Sequence, residues 1–229
     1  VIRRHAPAPE DVREGHPGDG TYQDARQPDL RTVHLVASVL LDYPDERLHE
    51  ARPVLARAVS RLPTGDAARH LTAFLDHLDA TPLPELAEHY VAIFDLKRRC
   101  CPYLTYYTYG DTRRRGMALL RFKHAYRAAG FEPAAGELPD HLAVVCELSG
   151  RGATREAGRL LHEHRTGIEV LHHALTAEGS PYAHVVAAVL ATLPPLGVRE
   201  RAAALRLAAQ GPPAEEVGLE PFAVTGDHR

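Results

Sequence analysis

The chain has 229 residues, 45% of them apolar, and a formal net charge of -3. A chain of that size buries a continuous core without staples, and its charge balance argues against a general nucleic-acid binder. Three cysteines (Cys100, Cys101 and Cys146) with two adjacent form no disulfide framework and point to a reducing cytoplasm; no apolar run approaches the roughly 20 residues of a membrane span, and residues 1–20 lack the apolar stretch of a signal peptide.

Residues 1–28 are rich in Pro, Gly, Asp and His, show no apolar period and read as a flexible arm. From Leu30 the pattern changes. Leu30, Val33, Val36, Ala37, Leu40 and Leu41 recur at three and four, which predicts a helix with Asp29 at its start and Pro44 past its end. Leu48, Ala51, Leu55, Ala58 and Leu62 repeat the pattern over 46–62, although Pro53 breaks or kinks a helix that it does not start. Ala68, Leu71, Phe74, Leu75 and Leu78 mark a third stripe, and Leu86, Tyr90, Val91 and Phe94 a fourth. A dense basic, thiol and aromatic block, DLKRRCCPYLTYYTYGD, follows at 95–111. Asp111 is placed to cap a helix running to Ala129, which Gly130 ends. ELPDH at 137–141 leads into a helix carrying Leu142, Val145, Cys146 and Leu148. One longer helix is predicted from Ala157 through Leu160, Leu161, Ile168 and Leu171 to Leu175, stopped at Gly179. Ser180 and Pro181 then read as N-cap and first helical residue of a helix with Val185, Val186, Val189, Leu190 and Leu193. A short helix at 199–209 precedes a Pro- and Glu-rich tail over 211–229, largely flexible. No βαβ alternation is present. The expected architecture is all-α: a compact single-domain bundle of eight or nine helices over 29–210.

The catalytic motifs are mostly missing. There is no glycine-rich phosphate loop and no GxSxG around any serine. Lys97, Arg98 and Arg99 beside Cys100 and Cys101 would depress a thiol pKa, but tandem cysteines are not the CxxC redox spacing, and ordinary packing is the alternative. Among fifteen histidines, His162 and His173 share a helical face with Glu169, and Glu169 with His172 has ExxH spacing. Carboxylate-bridged metal sites need a second such motif and further glutamates, and HExxH is absent. A small helical metal-binding protein or metalloenzyme therefore stands as one alternative reading. Glu137, Pro139, Asp140 and His141 read as a helix start with local caps, as an acidic rim for a basic peptide or as an acid/base pair; His141 beside two carboxylates would hold its proton more readily. Lys97, Arg98 and Arg99 flank Tyr103, Tyr106, Tyr107 and Tyr109, and Arg113, Arg114 and Arg115 follow. Such a block stacks bases in a nucleic-acid-binding helical module, the second alternative, or forms a protein interface, which the net charge favours.

Three runs carry a resemblance: LLDYPDE at 40–46, the stretch from YVAIFDLKRRCCPYLTYYTYGD to AYRAAGFEP over 90–133, and ELPDHLAVVCEL at 137–148. They resemble the molybdenum cofactor assembly chaperones of respiratory nitrate reductase, the delta subunit, within the redox-enzyme maturation proteins that serve molybdoenzymes. The match covers about residues 30 to 200, and LEPF at 219–222 is similar to the family's C-terminal end. The resemblance implies a cytoplasmic, non-catalytic helical chaperone. Its partner would be the N-terminal segment of the nitrate reductase alpha (catalytic) subunit. It would hold that apoprotein until molybdopterin guanine dinucleotide is inserted and delay membrane docking, with no cofactor bound stably, no nucleic-acid partner and no stable membrane association. A monomer or weak homodimer is expected. The family's Tyr-x-x-x-Phe signature falls on Tyr90 and Phe94, its acidic-x-Pro-Asp-His signature on Glu137, Pro139, Asp140 and His141, and its tyrosine–arginine block on Tyr103 to Arg115, including Tyr106, Tyr107, Arg113 and Arg114. Cys100 and Cys101 stand where a small polar residue is expected. These residues form the expected peptide-binding surface, with Asp140 and Glu137 meeting basic residues of an amphipathic helix laid in a groove. On that reading, Asp140→Ala with His141→Ala weakens peptide binding without unfolding the domain.

Overall fold

The computed structural model describes residues 2–4 and 27–210. Helix α1 (Gln27–Leu40) starts two residues before Asp29 and buries Val33, Val36, Ala37 and Leu40, the stripe that the three-four spacing marks. Asp45 caps α2 (Glu46–Val59), its Oδ1 accepting from the amides of Arg47 at 2.9 Å and Leu48 at 3.2 Å. That helix runs through Pro53 and buries Leu48, Leu55 and Val59. Helix α3 (Asp66–Ala80) buries Leu71, Phe74, Leu75 and Leu78. Helix α4 (Leu83–Tyr90) continues into a π-helical turn, Val91–Asp95, closed by the Leu96 amide on the Val91 carbonyl. Then come a 3₁₀ turn (Arg98–Cys100), α5 (Tyr106–Tyr109), α6 (Arg113–Ala128), α7 (Leu142–Gly150), α8 (Thr154–Glu163), α9 (Arg165–Ala177), α10 (Tyr182–Ala191) and α11 (Val198–Gln210).

Two helices form the centre. Every residue of α7 is buried, and α10 is buried at Tyr182 and from Val185 to Leu190. Their sequences, LAVVCELSG and YAHVVAAVLA, are apolar on nearly all sides, so α7 has no face for water and α10 exposes only His184 and Ala191. Helix α1 packs on α7 and α10, α3 and α9 flank α10, and α11 lies on α9. The α1–α7 approach is tight. A Cβ built on Gly150 would lie 2.7 Å from the Leu35 Cβ and 3.0 Å from its Cα, so the close crossing requires glycine. Gly150→Ala is expected to push the two helices apart and destabilise the domain by about 1–3 kcal/mol. Urea denaturation checks this; an unchanged midpoint would show that the crossing tolerates a methyl group.

The fold is mostly helical, but three features depart from the all-α bundle of eight or nine helices. The predicted helix over 157–175 is two: the chain breaks at His164 (φ -103°, ψ 11°), which ends α8 and precedes α9. Within the tyrosine block, α5 is a separate single turn. Together these bring the described residues to eleven α-helices. Ile2–Arg4, inside the segment read as an arm, forms strand β1 and pairs antiparallel with β2 (Phe131–Pro133), with Ile2 opposite Pro133 and Arg4 opposite Phe131. Strands of three residues are too short for a period of two to show. The last two residues of the expected arm, Gln27 and Pro28, open α1, and the rest of it (1 and 5–26), the 211–229 tail and LEPF at 219–222 lie outside the described residues. Among the described residues no helix is long and apolar enough to cross a membrane.

Candidate functional site

The tyrosine block and the ELPDH turn meet through the backbone. The Leu104 amide donates to the Asp140 carbonyl and the Leu142 amide to the Pro102 carbonyl, both at 2.9 Å, so Tyr103 and His141 sit opposite each other in an isolated antiparallel bridge. Their rings meet edge to face, centroids 5.1 Å apart. This bridge decides which carboxylate faces in. Asp140 is fully buried, and its Oδ2 accepts from the Thr105 hydroxyl and, at 3.3 Å, from the Thr105 amide. Arg115 completes the group: its Nε donates to the Thr105 Oγ1 at 3.1 Å, and a terminal nitrogen lies 3.5 Å from the Asp140 Oδ2. The guanidinium also lies over the Tyr103 ring, 5.3 Å from its centroid. Asp140 is thus an internal brace and not the rim that its sequence neighbours suggest.

His141 precedes α7, and its Nδ1 accepts from the Ala143 amide at 3.2 Å. An accepting nitrogen carries no proton, so the ring is neutral in this arrangement. Burial lowers its pKa to about 4, outweighing the opposing pull of Asp42 and Asp140. The expectation that neighbouring carboxylates keep it protonated is therefore reversed by desolvation.

Above this brace lies a cleft of about 440 Å³. One wall is α1, through Leu35 and Val39, with Asp42 just past its end; the other is α7, through Val144 and Glu147, with Arg151 just past its end. Tyr90, Tyr103, Glu137 and His141 complete the lining. Glu147 is engaged, accepting from Arg151 at 2.8 Å and from the Ile2 amide at 2.8 Å. Asp42 and Glu137 are exposed at the margin. The cleft therefore combines an apolar strip with an acidic edge.

The remaining predicted residues lie elsewhere. Phe94 is buried in an aromatic cluster, with ring centroids 4.8 Å from Tyr90 and 4.9 Å from Tyr182. Tyr106 and Tyr107 are also buried, and the Tyr107 hydroxyl donates to the carbonyls of Cys101 at 2.8 Å and Arg99 at 3.1 Å. Neither offers a free ring face to a base or a peptide. Pro139 is buried in the turn, and Arg113 and Arg114 are exposed on α6 outside the cleft lining. Burial pushes the Cys100 and Cys101 thiols up to about 11, against the neighbouring cations. They are poor nucleophiles at neutral pH.

Comparison with known proteins places this architecture. The family described as nitrate reductase delta subunit matches residues 61–188. A probable nitrate reductase molybdenum cofactor assembly chaperone, NarJ of Bacillus subtilis, is 32% identical over 173 residues, 75% of this chain and 94% of that protein. The chain belongs to the nitrate reductase delta subunit family. The molybdenum cofactor assembly chaperone NarJ of Escherichia coli K12 is 28% identical over 152 residues, 65% of this chain and 64% of that protein. Nitrate reductase-like protein NarX of Mycobacterium tuberculosis is 42% identical over 157 residues, 68% of this chain, but the match spans only 23% of that longer protein.

The delta subunit match contains Tyr90, Tyr103, Glu137, His141 and the whole α7 wall, whereas the α1 wall precedes it. Reading the sequence missed Leu35, Val39 and Arg151, which join the cleft only through the α1–α7 packing. It missed Thr105 and Arg115 as braces, although a buried acid beside a basic block is the pattern that would have suggested them. Among the described residues no group of three His, Cys, Asp or Glu side chains is placed to hold a metal ion. Glu169, the acid of the ExxH spacing, pairs with Arg165 at 2.9 Å.

Proposed function

We propose that this delta subunit family member is a chaperone for a respiratory nitrate reductase whose cleft binds the N-terminal region of the apo catalytic subunit. The observation that carries the reading is the convergence of Tyr90, Tyr103, Glu137 and His141 with α1 in one acid-edged cleft. Two relatives are named as molybdenum cofactor assembly chaperones, not as enzymes, and that agrees with a role in binding. An amphipathic helix laid between α1 and α7 would bury its apolar face on Leu35, Val39 and Val144, and Asp42 and Glu137 would meet its basic residues. Tyr103, held by Arg115 and His141, adds a rigid aromatic surface at little entropic cost. Bound in this way, the client stays open until molybdopterin guanine dinucleotide is inserted and reaches the membrane only afterwards. The work is done in the cytoplasm by the helical domain over residues 29–210. The nucleic-acid reading loses its stacking platform, because Tyr106 and Tyr107 are buried and Arg115 is turned inward.

Asp42→Arg and Glu137→Arg are exposed changes that leave the core untouched. Each is expected to weaken binding of a synthetic peptide from the client's N-terminus about tenfold, or about 1.4 kcal/mol. Calorimetry measures this, with Arg113→Ala as a control outside the cleft. Equal affinities for all four proteins would reject the cleft as the binding site.

A further inference from the structure

Strand β1 is joined to its fold in an unusual way. Residues 5–26 separate it from α1 in sequence, yet Ile2 is only 2% exposed and belongs to the main core. Its amide donates to the Glu147 Oε2 at 2.8 Å in a buried contact, and Arg3 and Arg4 beyond it are exposed. The register sets Arg3 opposite Glu132. So β2 offers a backbone edge, a socket for one apolar side chain and a buried carboxylate that receives the first amide. These are the parts of a strand-addition site, in which main-chain bonds give affinity and one pocket gives register. The same Glu147 lines the cleft, so the strand site and the cleft are continuous.

We infer that β2 with the Ile2 socket is a docking site for an extended segment of the client, an apolar residue followed by basic residues, and that Ile2–Arg4 occupies it as an internal ligand. A two-stranded ladder of three residues is marginal by itself, because one buried side chain and a few backbone bonds barely offset the ordering of its residues. Its occupancy therefore depends on its attachment to the chain, which holds it at high local concentration. An incoming strand that continues from a helix seated in the cleft has the same advantage and replaces it. The occupant is argued from β1 itself, whose sequence, Ile-Arg-Arg, is the template that the site accepts. Assigning the incoming strand to the client rests on the cleft reading above; the existence of the strand site does not.

The test uses the chain's own segment as probe, a fluorescently labelled peptide VIRRHAPA, with RRVIHAPA as the reordered control. Ile2→Asp in the full chain expels the internal strand, and a variant lacking residues 1–4 does the same without adding a charge. Both are expected to bind VIRRHAPA at least about tenfold more tightly than the unaltered protein does, and to bind RRVIHAPA weakly. Equal binding by altered and unaltered proteins, or equal binding of the two peptides, would overturn the strand site. The client's N-terminal peptide is then added as competitor to the variant lacking residues 1–4. Displacement of VIRRHAPA supports the assignment, and binding in the cleft without displacement overturns it. If the client peptide binds nowhere, the cleft reading fails, and the strand site is judged on the first comparison alone.

Discussion

Asp140→Ala should destabilise the domain by about 3 kcal/mol, the low end of what is lost when one partner of a buried ion pair is removed. The carboxylate is fully buried and receives the Thr105 hydroxyl, the Thr105 amide and Arg115. Removing it leaves those donors facing a cavity and takes away one of the two carboxylates beside Arg115, whose guanidinium lies over Tyr103; Asp111 remains, 3.6 Å away. Two features keep the effect at the low end. The Arg115 side chain is 19% exposed, so water recovers part of its charge. The Asp140 Oδ1 has no hydrogen-bond partner among the described groups, so removing it also relieves a desolvation cost. Asp140→Asn keeps the shape and an acceptor for Thr105 and is expected to lose about half as much, since only the charge-assisted part goes. Urea denaturation of the two variants, with Thr105→Val to close a double-mutant cycle, measures the brace. A loss below 1 kcal/mol for the alanine variant would mean that the bridge between Tyr103 and His141 holds the turn unaided. The result also bears on the paired change Asp140→Ala with His141→Ala, for which sequence reasoning expects weaker peptide binding in an intact fold. With Asp140 buried, that variant would lose structure and binding together, which is why Asp42 and Glu137 are the informative positions.

Much of the helical framework is legible in the sequence because it depends on one local rule. Val33, Val36, Ala37 and Leu40, and again Leu71, Phe74, Leu75 and Leu78, are buried where their spacing puts them. The break at His164 is not legible, since apolar spacing runs from Leu160 and Leu161 to Ile168, and the nearest glycine, Gly167, lies inside α9 and not at the break. Within the site, Glu137 and Asp140 are three residues apart and chemically alike, yet one is exposed and the other sealed. That difference comes from the Leu104 and Leu142 amides, which fix the turn from across the fold. Local sequence names the acids but cannot orient them. The α1 wall is harder still: Leu35 and Val144 become neighbours of one cleft only because Gly150 lets two helices cross closely.

The second large effect is a loss of stability in mild acid that can be traced to His34. This ring is fully buried where α1, α7 and the end of α10 meet. Its Nδ1 lies 2.7 Å from the Ser149 hydroxyl and its Nε2 2.9 Å from the Thr192 hydroxyl. Thr192 donates its own proton to the Val189 carbonyl, so it accepts from His34, and the network assigns the proton of a neutral ring to Nε2. Burial lowers the pKa from 6.5 to about 4. The unfolded chain therefore takes up a proton near pH 6.5 that the folded chain refuses until about pH 4. The stability contributed by the neutral ring is complete above pH 6.5, declines as pH falls and is gone below about pH 4. By pH 5 this single group is expected to have cost about 2 kcal/mol, and about 3 kcal/mol at the lower limit. His141 acts in the same direction, and burial likewise lowers His70, His77, His89, His164 and His172, so a slope in the parent protein does not identify its source. His34→Gln isolates it: an amide can donate to Thr192 and accept from Ser149 but does not titrate. Urea denaturation at pH 7 and pH 5 should show the variant losing about 2 kcal/mol less than the parent over that interval. Parallel pH dependence in the two proteins would show that His34 takes up its proton in the fold at the same pH as in the unfolded chain, with Ser149 turned to accept.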